Sequence, residues 1–220
     1  MPHSRYERAL RREGFRAIAG VDEAGRGALF GPVFAAAVIL DPGRPIRGLD
    51  DSKALEPDRR EVLAGRIYDR ARAWAVGASD AFEIDRINIL QASRLAMRRA
   101  VERLTPTCDH LLVDAVTVDV PLPQRALIHG DALCFSIAAA SILAKVHRDR
   151  ALRAWDEVFP EYGLASNKGY STPDHIAALE KCGPTALHRF SFEPVRLSSN
   201  LEVWTGYPSV VRQRELFACL

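Results

Sequence analysis

The chain has 220 residues, 48% hydrophobic and 26% charged, with a formal net charge of +2. That length holds one well-buried domain with room for a small appendage, and the composition is that of an ordinary globular protein. The near-neutral charge demands no nucleic-acid partner, so any basic surface must be local. The apolar stretches at 33–40 and 137–144 are too short to span a bilayer, and no charged-then-apolar leader opens the chain. The four cysteines, Cys108, Cys134, Cys182 and Cys219, lie far apart without a Cys-x-x-Cys pair. They argue against a zinc site or redox motif and fit a reducing compartment, so a cytoplasmic location is expected.

Residues 1–15 read as a charged lead-in, helical or loose. A short strand is expected at 17–22, delivering Asp22 and Glu23 where it breaks into the turn Gly25-Arg26-Gly27. Side chains alternate faces along a strand, so two adjacent acids can be aimed at one point only where the strand ends. Residues 32–40 form a near-continuous apolar run, suited to a central strand buried on both faces, closed by Asp41-Pro42-Gly43. A polar loop with Asp51-Ser52-Lys53 leads to a helix starting near Pro57. A third strand, containing Trp74 and Val76, is expected at 72–79. The clearest helix is 83–104, where Ile84, Ile87, Leu90, Met97, Val101 and Leu104 recur at helical spacing. Its arginines, Arg86, Arg94, Arg98 and Arg99, read as a solvated face. Strands at 110–114 and 126–129 end near Asp114 and Asp131, and a long helix follows to about residue 159. Strands feeding helices argue for an α/β layer rather than a bundle. Residues 161–220 read as shorter helices and loops packed on a core formed by 1–160, with a tail after about 196.

The chemistry gathers at strand ends. Asp22, Glu23, Asp114 and Asp131 each fall there, and in open α/β sheets ligands bind where strand ends meet the following loops. Singly, Asp114 could be a turn residue and Asp131 a helix N-cap. Together, crowded carboxylates raise one another's pKa. A hard divalent cation, Mg²⁺ or Mn²⁺, relieves that repulsion and makes a site for in-line displacement at phosphorus. Gly25 and Gly27 let backbone approach a bulky ligand.

Ser141, Lys145 and Asp149 are spaced i, i+4, i+8 and share one helix face. The row reads as a Ser/Lys pair facing a phosphate backbone, or as a weak surface ion pair between Lys145 and Asp149. Lys53 and Lys168 could add phosphate contacts. The only lysines are Lys53, Lys145, Lys168 and Lys181, every other basic side chain apart from histidine being arginine. Codon bias explains that, or lysine is kept where a compact charge is needed. Tyr170 could stack on a sugar or base, or be a half-buried core tyrosine.

These residues resemble the prokaryotic ribonuclease HII (type 2 ribonuclease H) family across about residues 17–195. The resemblance rests on Ala19-Gly20-Val21-Asp22-Glu23-Ala24-Gly25-Arg26-Gly27, Asp51-Ser52-Lys53, Glu83-Ile84-Asp85-Arg86-Ile87-Asn88-Ile89-Leu90 and Gly130-Asp131. It continues through residues 137–146, Lys168-Gly169-Tyr170 and His188-Arg189-Phe190-Ser191-Phe192. It implies a ribonuclease H-like fold, a mixed five-stranded sheet flanked by helices with a small helical C-terminal part. It implies endonucleolytic cleavage of RNA in RNA–DNA hybrids and at single ribonucleotides in duplex DNA, leaving 3′-hydroxyl and 5′-phosphate ends. Mg²⁺ or Mn²⁺, two ions with substrate bound, would be held by Asp22, Glu23, Asp114 and Asp131. Gly25, Arg26 and Gly27 match the turn that reads the ribose 2′-hydroxyl, and Tyr170 the tyrosine at the RNA–DNA junction. Lys53, Ser141, Lys145 and Lys168 complete the expected substrate-binding set.

Three positions depart from the family pattern: Ala28 and Ser171 replace prolines, and Ala115 replaces a glycine after the third acid. The rival readings are a catalytically silent hybrid-binding module and a nuclease of this fold for another nucleic acid. The four intact acids argue against the first and the Gly-Arg-Gly turn against the second. In the tail, Gln213-Arg214-Glu215-Leu216-Phe217 loosely resembles peptides that dock on bacterial sliding clamps. The alternative there is a closing helix with Leu216 and Phe217 packed inward.

Overall fold

The computed structural model describes residues 2–199. The expected clamp-binding peptide therefore lies outside the described residues. A five-stranded sheet runs in the order β3-β2-β1-β4-β5, with β1 Ile18–Ala24, β2 Val33–Leu40, β3 Ala71–Ser79, β4 His110–Asp114 and β5 Gln124–Leu127. β1, β2 and β3 pair antiparallel, whereas β1–β4 and β4–β5 pair parallel. The sheet is mixed, as expected.

β2 shows why its sequence is continuously apolar. Val33, Ala35, Ala37 and Ile39 join one core cluster, and Ala36 and Val38 join another on the opposite face. Helix α3 (Ala81–Glu102) covers the first face, while α2 (Pro57–Arg70) and α5 (Phe135–Val158) cover the second. Alanine on β2 and at Ala138, Ala139, Ala140 and Ala144 of α5 lets these layers approach closely. At Gly20 the approach is closer still, because any Cβ would overlap the Ser136 backbone at the start of α5. The lead-in forms α1 (Arg5–Arg12), whose Leu10 packs against Ile18, Leu112 and Ile137. The short helices α6 (Leu164–Asn167), α7 (Pro173–Cys182) and α8 (Glu193–Ser198) wrap the far end of α5. Their Leu164, Leu179 and Val195 share a core with Phe30, Leu152 and Trp155. Among the described residues no helix is long and apolar enough to cross a membrane.

Three expectations need correction. The helix expected at 83–104 begins at Ala81, with Asp80 and Glu83 forming a reciprocal capping box, and is interrupted at Asn88 (φ 65°). There the Asn88 Oδ1 accepts the Gln91 amide at 3.1 Å, capping the second half of the helix. The strand expected at 126–129 ends at Leu127, because His129 is left-handed (φ 56°). The long helix after it is broken: α4 (Gly130–Leu133) stops at Cys134, whose extended backbone opens α5.

Candidate active site

The placement of the acids begins with unequal strand lengths. β1 stays paired to β2 as far as Ala24↔Phe34, but its parallel pairing with β4 stops at Val21↔Val113. Asp22 and Glu23 therefore sit within a strand rather than after it, on the part of β1 whose β4 side is unpaired. This corrects the expectation that the strand ends at Asp22. Asp114 is the last residue of β4, and its Oδ1 accepts the Gly130 amide at 2.7 Å. That bond ties the end of β4 to the start of α4 and so to Asp131, which lies within α4 rather than at a strand end. Asp131 Oδ1 accepts the Ala132 amide at 2.9 Å, while the N-cap position of α5 is occupied by Cys134, so Asp131 is not the N-cap of the long helix.

Electrostatics join the four acids. Burial raises the Asp22 pKa well above the usual carboxylate range, and Glu23, Asp114 and Asp131 push it further. Burial also raises Glu23, with Arg26 opposing and Asp114 reinforcing the shift. Asp131 is raised by burial and then by Asp51 and Asp114. Cations partly answer this crowding. Arg26 Nη1 lies 3.3 Å from Glu23 Oε1, and Lys53 Nζ lies 3.7 Å from Asp131 Oδ2. Among the described residues no group of three or more His, Cys, Asp or Glu side chains is arranged to hold an ion. The donor set nonetheless fits a hard divalent cation. It consists of carboxylates alone, three of them with raised pKa, and Glu23 Oε2 is buried without a hydrogen-bond partner.

The loop carrying Lys53 is held from behind. Ser141, only 2% exposed, accepts the Ser52 amide through its Oγ at 3.3 Å. It therefore braces the loop and cannot itself face a phosphate backbone, which corrects one half of the expected Ser/Lys pair. Arg60 donates to the carbonyls of Ser52 and Leu55 and lies 3.6 Å from Asp149. Asp149, itself buried, also takes Lys145 at 2.6 Å, so the pair is no surface ion pair. Burial lowers the Lys145 pKa, and the bond to Asp149 opposes that shift. Lys168 turns its ammonium to the Ala165 carbonyl within α6.

The Gly25-Arg26-Gly27 turn requires glycine at its first position. Gly25 has φ +95°, and a Cβ there would fall 2.5 Å from Arg148 Cδ. The turn and the Lys168-Gly169-Tyr170 loop are stitched together by the Leu29 amide, which donates to the Gly169 carbonyl at 2.7 Å. Tyr170 is 37% exposed, with its ring facing the Arg148 guanidinium. Behind the loop, His188 is held neutral, its pKa pushed down to about 3 by burial and by His175. Its Nδ1 must then accept the Thr185 amide, leaving Nε2–H to donate to His175 at 3.2 Å. The remaining His175 N–H donates to the Tyr170 carbonyl at 2.9 Å.

Several residues here carried no individual signal in the sequence. Arg148 and Arg189 are fully buried although arginine is ordinarily exposed. Asp51 presses on Asp131 from the Lys53 loop. Asp85 accepts the amides of Phe190 and Ser191 at 2.9 and 2.8 Å, joining α3 to the 188–192 stretch. The one available hint was that Asp51, Asp85 and Arg189 all lie in stretches that carry the family resemblance.

Comparison with known proteins supports the family resemblance. The family model described as Ribonuclease HII matches residues 19–195. A Ribonuclease HII of Solibacter usitatus (strain Ellin6076) is 69% identical over 193 residues, covering 88% of this chain and 85% of that one. The ribonuclease H2 from Pyrococcus horikoshii OT3 superposes with a TM-score of 0.70 at 27% identity, covering 83% of this chain and 97% of that one. The PCNA:RNase HII complex from Archaeoglobus fulgidus matches with a TM-score of 0.69 at 26% identity, over 81% of this chain and 96% of that one. The chain belongs to the ribonuclease HII family and is an endoribonuclease of ribonuclease H type 2.

Proposed function

We propose that the chain cuts the RNA strand of RNA–DNA hybrids and, in duplex DNA, the 5′ side of a single ribonucleotide, leaving 3′-hydroxyl and 5′-phosphate ends. The observation that carries this reading is the direct covalent run from Asp22 and Glu23 into the Gly25-Arg26-Gly27 turn. A turn so close to the acids along the chain fixes the recognised sugar near the scissile phosphate, so one ribose can suffice. The 2′-hydroxyl is what separates RNA from DNA at such a site.

Asp22, Glu23, Asp114 and Asp131 would hold the divalent ions, Mg²⁺ or Mn²⁺. When bound, these supply Lewis-acid polarisation and an activated water for in-line displacement at phosphorus. Arg26 and Lys53, already paired to Glu23 and Asp131, would neutralise acid charge and contact an incoming phosphate. Lys145 and Lys168, now bonded to Asp149 and to the Ala165 carbonyl, would supply further backbone phosphate contacts. Tyr170 offers a flat face to the deoxyribose on the 3′ side, where a 2′-hydroxyl would crowd the ring. The catalytic core is assigned to 1–160, the remainder packing on it, and the site of action to the cytoplasm.

Tyr170→Ala should lose more activity on a single-ribonucleotide duplex than on an all-RNA strand hybridised to DNA. Equal loss on both would remove the junction reading. A second proposal concerns the tail: the Archaeoglobus relative is described in complex with PCNA, and Gln213–Phe217 would supply a comparable clamp contact here. Deleting 213–220 should abolish clamp binding, and unaltered binding would discard the assignment.

A further inference from the structure

Arg148 on α5 and Arg189 after α7 are both fully buried. Neither belongs to the carboxylate cluster; both lie beneath the two loops proposed to face substrate. Arg148 Nη2 donates to the Lys168 carbonyl at 2.8 Å, and its guanidinium carbon lies 5.1 Å from the centre of the Tyr170 ring. The same side chain fills the space where Gly25 would carry a Cβ. Arg189 Nη1 donates to the Arg26 carbonyl at 2.8 Å, and its Nε donates to the Gly31 carbonyl at 2.9 Å. The Gly-Arg-Gly turn and the Tyr170 loop thus rest on one buried cationic floor.

That floor is an expensive way to fill space. Arg148 Nε and Nη1 and Arg189 Nη2 find no hydrogen-bond partner among the described residues. Open donors on a buried cation oppose folding, and well-packed apolar side chains of similar volume would serve stability better. Burial lowers both pKa values, and Arg148 lowers that of Arg189 further. What the guanidinium supplies that an apolar residue cannot is geometry. A planar donor fork holds carbonyls at set positions, and a cation under an aromatic ring favours one ring placement. Lys168 and Gly169 are both left-handed, at φ 53° and 72°, and the carbonyl between them is the one Arg148 grips.

We infer that Arg148 is a specificity-determining positioning residue that, with Arg189, locks the Gly25–Gly27 turn and the Tyr170 ring at one separation, so that the ribose and the following deoxyribose are read together. The inference rests on the roles proposed above for the turn and for Tyr170. Sugar discrimination by two separate loops needs them fixed to within about half an ångström, which loop backbone alone does not provide.

The test compares wild type, Arg148→Met, Arg148→Lys, Tyr170→Ala and the Arg148→Met/Tyr170→Ala double variant. Each is assayed for kcat/KM on a single-ribonucleotide duplex and on an all-RNA hybrid, with thermal melting as the control for folding. Arg148→Met should lose about tenfold more on the single-ribonucleotide duplex than on the hybrid, Arg148→Lys should fall between it and wild type, and the double variant should be no worse than about twofold below Tyr170→Ala. A purely structural arginine would cost both substrates equally and its loss would multiply with that of Tyr170→Ala; either result overturns the inference. If Arg148→Met does not fold, Arg148→Lys replaces it: a loss greater on the single-ribonucleotide duplex supports the inference, and an equal loss on both substrates overturns it. If Tyr170→Ala itself loses both substrates equally, the junction reading fails and this inference falls with it. If Tyr170→Ala is selective and the Arg148 variants are not, this inference alone fails.

Discussion

Removing the Glu7 carboxylate should destabilise the molecule far more than an ordinary change in a charged lead-in helix. Glu7 is 3% exposed, and its Oε1 accepts the Ser136 amide at 2.9 Å, the Ser136 hydroxyl at 3.0 Å and the Cys134 thiol at 3.2 Å. The α5 helix, 24 residues long, has no side-chain cap of its own at Cys134. Glu7 is therefore its N-terminal cap, supplied by α1. Hydrogen bonds to a charged group contribute about 1.5–3 kcal/mol, and an anion at a partly buried helix N-terminus up to about 2 kcal/mol. Allowing for overlap between these contributions, Glu7→Ala should cost about 3 kcal/mol. For a chain of this length that lowers Tm by about 6–12 °C. Glu7→Gln keeps an acceptor and loses the charge, so about 1 kcal/mol and 2–4 °C are expected. Thermal unfolding followed by circular dichroism reads both. Cleavage should fall with them, because α4 and Asp131 join directly to Cys134 and the His3 amide holds the Leu133 carbonyl at 3.1 Å. A Glu7→Ala protein melting within about 2 °C of wild type would refute the capping role.

Asp114→Asn and Asp131→Asn should each abolish cleavage while leaving the protein folded, since amides are poor ligands for hard cations; near-normal turnover in either would remove that residue from the site. The raised pKa values of Asp22, Glu23 and Asp131 set a pH dependence. The folded chain keeps protons on these acids that the unfolded chain has released. Their contribution to stability therefore declines as pH rises through the folded-state values, and a cation that binds the ionised acids restores it. Saturating Mg²⁺ should accordingly raise Tm more at pH 8 than at pH 5, with about 2.7 kcal/mol expected at a hundredfold excess over Kd; an equal rise at both pH values would contradict the linkage. Ala115→Gly should stabilise the protein by about 0.5–1 kcal/mol, because Ala115 sits at φ 54° where a Cβ is strained. A lower Tm in that variant would show that the turn aiming Asp114 is not under strain.

The sheet and its order of elements were legible because β2 and the β1 motif carry their burial in their own residues. An apolar run such as Val33–Leu40 has few alternatives to a central strand. What the local pattern could not show is contact between distant residues. Glu7 and Ser136 are 129 positions apart, so a charged residue in a lead-in helix gave no sign of capping α5. The place of Ser141 is hidden for the same reason, since its Oγ meets the Ser52 amide from 89 positions away rather than solvent. The break at Cys134 has no local signal, because nothing in 130–158 stops a helix. It coincides with Glu7 taking the Ser136 amide at the start of α5 and with Asp114 gripping the Gly130 amide. Each acid of the site was visible as a residue. How Arg148 and Arg189 lie beneath the loops was not, because no spacing rule marks an arginine for burial.

The most direct test of the proposed activity is a cleavage assay with Mg²⁺ or Mn²⁺ on three duplexes of one sequence: all-DNA, all-RNA strand on DNA, and DNA with one ribonucleotide. The expected result is no cutting of the first, cutting of the second, and a single cut on the 5′ side of the ribonucleotide in the third. All cutting should be lost with Asp114→Asn and with chelator. Cutting of the all-DNA duplex at a comparable rate, or no cutting at the lone ribonucleotide, would contradict it.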